Sequence, residues 1–125
     1  MSGSSIRYLL AIYQLSDGGA AVRSVDIANL LQVTRASVVK SLKKLTEEGA
    51  IHKEYYGNIQ LTPMGMQLGN RISTEYELLF SCFAHHFGLS EDQARQDALS
   101  ALCYFSPQAR EALIQCIQKK AHPPL

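Results

Sequence analysis

Tryptophan is missing from the chain, and cysteine occurs only as Cys82, Cys103 and Cys116. An odd number of cysteines without framework spacing excludes a disulfide-held secreted miniprotein. It points to free thiols in a reducing compartment, by default the cytoplasm. Net charge is small, at +1, so whole-molecule electrostatics favour no partner and any anion-binding surface has to be a local patch. Residues 1–62 hold seven Lys and Arg against five Asp and Glu, and residues 63–125 hold five against six. No stretch reaches the roughly 18 apolar residues that a membrane-spanning helix requires. The opening MSGSSIRYLL has no charged start, apolar run and small-residue cleavage site, so no signal peptide is expected. Phosphate loops, nucleophile elbows and paired carboxylates are also lacking. His52, His85, His86 and His122 have no recognisable partners, so an enzyme is not expected.

What is present suits a globular, mainly helical protein. The hydrophobic share of 46% is enough to build a core, and the length fits one compact domain or two small lobes. Ile6, Leu9, Leu10 and Tyr13 recur at helical spacing, which predicts a first helix from Ile6 to Ser16 with Ser5 as its cap. Asp17-Gly18-Gly19 ends it. Ser24 is the expected cap of a second helix over Val25–Leu31, with Ile27, Leu30 and Leu31 on its apolar face. Thr34 caps a third, Arg35 to Glu48, in which Val38, Leu42 and Leu45 form one stripe at i, i+4 and i+7. Gly49 stops it.

Around the turn pair Gly57-Asn58, Ile51, Lys53 and Tyr55 alternate with His52, Glu54 and Tyr56, and Ile59 and Leu61 alternate on the far side. This spacing predicts a two-stranded hairpin. Thr62 and Pro63 then open a long fourth helix to Phe87, with Met64, Leu68, Ile72, Tyr76, Leu79 and Phe83 as its stripe. Gly65 and Gly69 within it weaken helix propensity and permit close packing. Ser90 opens a fifth helix to Tyr104, and Ser106-Pro107 a sixth to Lys119, followed by a frayed AHPPL tail.

Three helices with a tight second turn, followed by a hairpin, form the winged helix-turn-helix arrangement. A small core would fix the third helix so that its polar face enters a DNA major groove, which is wide enough to admit one helix. Arg35, Ser37, Lys40, Ser41 and Lys44 are the expected contacts on that face. Arginine can grip guanine bidentately, while lysines and hydroxyls hold phosphates. The helix starts at Ser24 and Thr34 would offer N–H groups to phosphate oxygens. Tyr55, Tyr56, Gly57 and Asn58 form the wing tip, with Lys53 behind it, so Lys53, Tyr56 and Asn58 complete the expected DNA-binding set. Residues 1–62 are expected to be the DNA-binding domain and residues 63–125 a helical dimerisation domain.

The segments SIRYLLAIYQL, VDIANLLQVTRASVVKSLKKLTEEGAI, YGNIQLTPMGMQLG, YELLFSCFAHHFGLSED and DALSALCYFSPQAREAL together resemble the diphtheria toxin repressor and manganese transport regulator family. The most characteristic pieces are LTPMGMQLG leading into a long helix and the apolar ELL…F…FGL segment before an acidic helix start. The resemblance implies a homodimeric bacterial transcription factor bound to a double-stranded, pseudo-palindromic operator.

It also implies control by Mn²⁺ or Fe²⁺ held by the first, fourth and fifth helices. Carried over position by position, the acidic pair of the first helix falls on Arg7 and Leu10, and the histidine of the long helix on Tyr76. The three ligand positions of the fifth helix fall on Leu99, Leu102 and Cys103. Hard divalent ions favour carboxylates and imidazoles, and only Cys103 in this set is a conceivable ligand. The expectation is a regulator without a metal cofactor, in which apolar packing of Leu10, Leu99, Leu102 and Cys103 replaces the ion. The alternatives are a substitute metal site of Cys82 with His85 or His86 and a third ligand from Cys103, Cys116 or the dimer mate, a redox switch through Cys103, and an adaptor that docks protein instead of DNA.

Overall fold

The structure is a computed structural model that describes residues 1–54 and 56–121, the last three as backbone only. Tyr55 of the expected wing tip and His122 of the expected tail lie outside the described residues. In chain order the elements are α1 (Gly3–Ser16), α2 (Ser24–Leu31), α3 (Arg35–Glu47), β1 (Ile51–Lys53), β2 (Ile59–Leu61), α4 (Pro63–Ser81), a π-helical turn (Cys82–His86), α5 (Glu91–Tyr104) and α6 (Pro107–Ala121). The fold is mainly α, a winged helix followed by further helices. Two compact units divide it, Met1–Ser73 and Thr74–Leu125. Among the described residues no helix is long and apolar enough to cross a membrane.

In the first unit α1, α2 and α3 pack against one another, and the hairpin packs on α3 and α1. Leu9, Ile12, Ile27, Leu42, Leu45, Ile51 and Ile59 are fully buried there. Each such side chain contributes about 1.5–3 kcal/mol relative to exposure. The apolar stripe of α3 is buried at Val38, Leu42 and Leu45 as its spacing predicts. β1 and β2 are antiparallel, with Ile51 opposite Leu61 and Lys53 opposite Ile59. The turn closes through Glu54 N–H to the Asn58 carbonyl at 2.6 Å, with Gly57 at φ +81°. Val22, between α1 and α2, adds a third rung by exchanging two 2.8 Å hydrogen bonds with Ile59.

Several local expectations are corrected. α1 begins earlier, because Ser2 and not Ser5 is its cap: the Ser2 hydroxyl accepts from Ser5 N–H at 3.1 Å. That choice leaves Ser5 free to be buried. α2 starts at Ser24 itself, with Arg23 at the cap position and no side-chain cap bond. Leu30 is 49% exposed, and Met64 at the start of α4 is 44% exposed. In a helix as short as α2, Ile27 and Leu31 suffice to cover the contact, and Leu30 turns outward. The long helix does not stay α-helical to Phe87. It widens after Ser81, where Phe87 N–H bonds to the Cys82 carbonyl at 3.2 Å. A single turn of i→i+5 bonding is too short to set a spacing of its own, so the apolar pattern could not reveal the change.

The second unit is built on α5 and α6, both packed on the π-helical turn. Ser90 caps α5 through Gln93 N–H at 3.2 Å. Ala94, Ala98, Ala101, Leu102, Ile114 and Ile117 are buried. Arg110 ties its elements together, donating to the Leu102 carbonyl at 2.8 Å and pairing with Glu75 at 2.7 Å.

Candidate nucleic-acid interface

The site is built on α3. Thr34 fixes its start: the hydroxyl accepts from Ser37 N–H at 3.1 Å and lies 3.0 Å from the Ser37 hydroxyl. Such a cap is worth about 1 kcal/mol. With Val38, Leu42 and Leu45 turned into the core, the opposite side of the helix is forced outward. Arg35, Ser37, Lys40 and Lys44 are exposed on it, and Ser41 is half-buried. Ala36 and Val39 are exposed there as well, Val39 at 58%. Residue type alone hides them as recognition candidates, since small apolar residues read as core. Exposed beside Arg35 and Lys40, such side chains have the chemistry to contact thymine methyls.

A cleft of about 580 Å³ runs between α3 and the first turns of α1. Ser37, Lys40, Ser41 and Lys44 line it from α3, and Ser2, Ser4 and Arg7 line it from the other side. Lys44 Nζ donates to the Ser2 hydroxyl at 3.2 Å. Arg7 Nη2 donates to the Leu31 carbonyl at 3.1 Å. The spacing of α1 alone gave no hint of this neighbourhood, because it is made by packing.

The other expected DNA contacts lie apart from the cleft. Ser24 is half-buried at the start of α2. Lys53 is exposed on β1, Tyr56 is 86% exposed at the hairpin tip and Asn58 is half-buried. The hairpin is fastened to α3 and α4 by Thr62. Its N–H donates to the Ala50 carbonyl at 3.1 Å and its hydroxyl donates to the Gly49 carbonyl at 2.6 Å. That hydroxyl also accepts from Gly65 N–H at 3.0 Å and so caps α4.

The positions that the resemblance assigns to metal ligands do not form a hard-cation donor set. Leu10 and Leu102 are buried apolar side chains, Leu99 is half-buried, and the thiol of Cys103 is buried. Arg7 presents a cation. Tyr76 is buried beside Arg95, whose guanidinium lies 5.6 Å from its ring centroid and 3.7 Å from that of Phe80. Burial works against the charge of Arg95, but hydrogen bonds to Tyr76 and Glu77 and the Glu77 carboxylate outweigh it and raise its pKa. Elsewhere, Cys82, His86 and Cys116 line a small, largely apolar cavity of about 40 Å³ in the second unit. Among the described residues no three His, Cys, Asp or Glu side chains are grouped to hold an ion.

Residues 3–59 match the family described as iron dependent repressor, N-terminal DNA binding domain. The transcriptional regulator MntR of Lysinibacillus sphaericus is 36% identical over 86 residues, which is 69% of this chain and 61% of the relative. The manganese regulator SloR shares the fold, with a TM-score of 0.78 at 23% identity, over 94% of this chain and 55% of that one. The apo form of the manganese-activated repressor ScaR aligns with a TM-score of 0.65 at 25% identity, over 88% of this chain and 52% of that one. The chain thus spans about three fifths of the curated relatives and about half of these two structures.

These relatives correct one expectation outright. A regulator without a metal cofactor is contradicted by them: SloR is a manganese regulator, ScaR is manganese-activated, and ScaR has been seen with Zn²⁺ and with Cd²⁺ bound. Unsuitable side chains at a few carried-over positions do not outweigh that. Residues 3–59 thus match the N-terminal DNA-binding domain of the iron-dependent repressors, and the chain resembles the diphtheria toxin repressor and manganese transport regulator family.

Proposed function

We propose that the protein is a sequence-specific DNA-binding transcriptional regulator that acts as a homodimer in the cytoplasm. Residues 1–62 serve as the DNA-binding domain and residues 63–125 as the dimerisation domain. The observation that carries this reading is the outward face of α3, rich in cations and hydroxyls, within a segment whose family is a repressor DNA-binding domain. Arg35 reads a base edge at the start of the helix. Ser37, Lys40, Ser41 and Lys44 contact base edges and backbone, and Ser24 and Thr34 lie against phosphates. Lys53, Tyr56 and Asn58 carry the wing along the neighbouring backbone. A twofold dimer presents two copies of α3 to half-sites about 34–36 Å apart.

Control by a divalent metal is carried over from the relatives, with donors other than the guanidinium at Arg7 and the leucines at Leu10, Leu99 and Leu102. The test is a mobility-shift assay on the DNA upstream of the protein's own gene, with EDTA and then with Mn²⁺ or Fe²⁺. Specific binding that requires metal supports the whole proposal. Specific binding unaffected by EDTA removes metal control and leaves DNA recognition standing. No specific binding under any condition, with a protein partner captured instead, overturns it in favour of an adaptor. If Lys40, Lys44 and Lys53 of both protomers each neutralise a phosphate, log K falls against log salt with a slope of about −5.

A further inference from the structure

We infer that the cleft between α1 and α3 is a phosphate-binding site in which Arg7 is a ligand. Arg7, Lys40 and Lys44 converge on it, and no carboxylate is among the residues that line it. Three cations facing one concavity repel one another unless an anion neutralises them. The donors suit a phosphate: a guanidinium for bidentate contact, two ammonium groups, and the hydroxyls of Ser4, Ser37 and Ser41.

Arg7 is already oriented. It is half-buried and tethered to the Leu31 carbonyl at 3.1 Å, which leaves further guanidinium N–H donors for a ligand. Lys44 is likewise held by Ser2. Neither α1 nor α3 has an acidic residue in its first turn, so the positive ends of both helices stay uncompensated near the cleft. At about 580 Å³ the cleft falls within the size range of small-ligand sites.

The phosphate can be a DNA backbone phosphodiester or a free phosphate anion. The first source rests on the DNA-binding reading, and the second does not. The full chain is titrated with inorganic phosphate and pyrophosphate at constant ionic strength, and amide resonances are followed by NMR. Wild type, Arg7→Gln and Arg7→Lys are compared, and the same proteins are assayed on operator DNA across a salt series.

A free-anion site moves the resonances of residues 2–7 and 37–44. Arg7→Gln then weakens pyrophosphate binding about tenfold, and Arg7→Lys weakens it less. If free anions produce no shift but Arg7→Gln reduces the salt slope by about 0.9 for each phosphate no longer neutralised, the ligand is the DNA backbone. Wild-type anion affinity and wild-type salt slope in folded Arg7→Gln overturn the inference. Should that variant fail to fold, the same two results in Arg7→Lys and Lys40→Gln overturn it. Wild type that binds no DNA refutes the proposed function, and the free-anion titration then decides the cleft alone.

Discussion

At Gly65 the start of α4 lies against the backbone that joins α3 to the wing, and replacing that glycine with alanine is a severe test of that packing. A methyl group there would lie 1.8 Å from the Ala50 carbonyl oxygen and 2.8 Å from its carbon. That carbonyl cannot swing aside freely, because it accepts from Thr62 N–H at 3.1 Å. Thr62 in turn holds Gly49 and caps α4. Alanine gains about 1 kcal/mol of helix propensity, but overpacking against backbone costs about 3 kcal/mol or more. The net loss is about 2 kcal/mol or more. With an unfolding entropy of about 2.1 cal/mol/K per residue, a 125-residue chain melting as one unit loses about 8 °C in Tm.

Gly69→Ala is the matched control, since its methyl would meet the Tyr13 ring at 2.6 Å. The base of that side chain, Cγ and Cβ at 2.9 and 3.1 Å, must also shift, so this variant is destabilised too, but less than Gly65→Ala because its obstacle is a side chain and not a hydrogen-bonded carbonyl. Thermal melts followed by circular dichroism at 222 nm compare the two. A Gly65→Ala variant as stable as wild type, or one no worse than Gly69→Ala, would refute the close approach of α4 to the end of α3.

The remaining predictions concern recognition and local stability. Arg35→Ala should weaken specific DNA binding while leaving the oligomeric mass unchanged by light scattering; a change in that mass would misplace α3. Thr34→Ala should cost about 1 kcal/mol in urea unfolding through loss of the α3 cap, and Thr34→Ser should retain most of it. Val39→Ser should leave stability within about 0.5 kcal/mol, because the site is exposed, yet reduce operator affinity in a mobility-shift titration; unchanged affinity would remove Val39 from the reading face. Arg95→Leu should lose about 1 kcal/mol, mostly its stacking on Phe80 and Tyr76, since the exposed pair with Glu77 contributes little.

How legible each part was depended on how local its cause is. α3 could be read because its buried stripe and its cap are contained within a few residues. The hairpin could be read from alternation around Gly57. Gly65 registered only as a helix penalty, because the oxygen it accommodates belongs to Ala50. The Val22–Ile59 rung left no signal, as strand pairing across distant residues is set by packing. Ser2 and Ser5 are equally good caps by type, and only the buried environment of Ser5 separates them. The cleft was invisible for the same reason: nothing in SSIR announces Lys44 as a neighbour. The metal expectation failed differently. It treated identities at a few positions as decisive, yet a one-residue slip in alignment rotates a helical position by about 100°. A coordination site is a meeting of donors in space, and replaced side chains at some positions say nothing about donors at others.

The DNA face and the cleft constrain each other through shared side chains. Ser37, Lys40, Ser41 and Lys44 belong both to the face proposed for DNA and to the cleft with Arg7. An ammonium group neutralising a free anion in the cleft contributes less to a DNA phosphate. If both ligands are real and exclude each other, each must weaken the other by the same factor, because coupling between binding sites is reciprocal. An anion at ten times its own Kd then lowers apparent operator affinity about elevenfold. If the cleft instead receives the DNA backbone itself, added pyrophosphate acts only through ionic strength, and sodium chloride at matched ionic strength reproduces its whole effect. The difference between pyrophosphate and chloride in that assay therefore measures the coupling directly, whatever bases the operator contains.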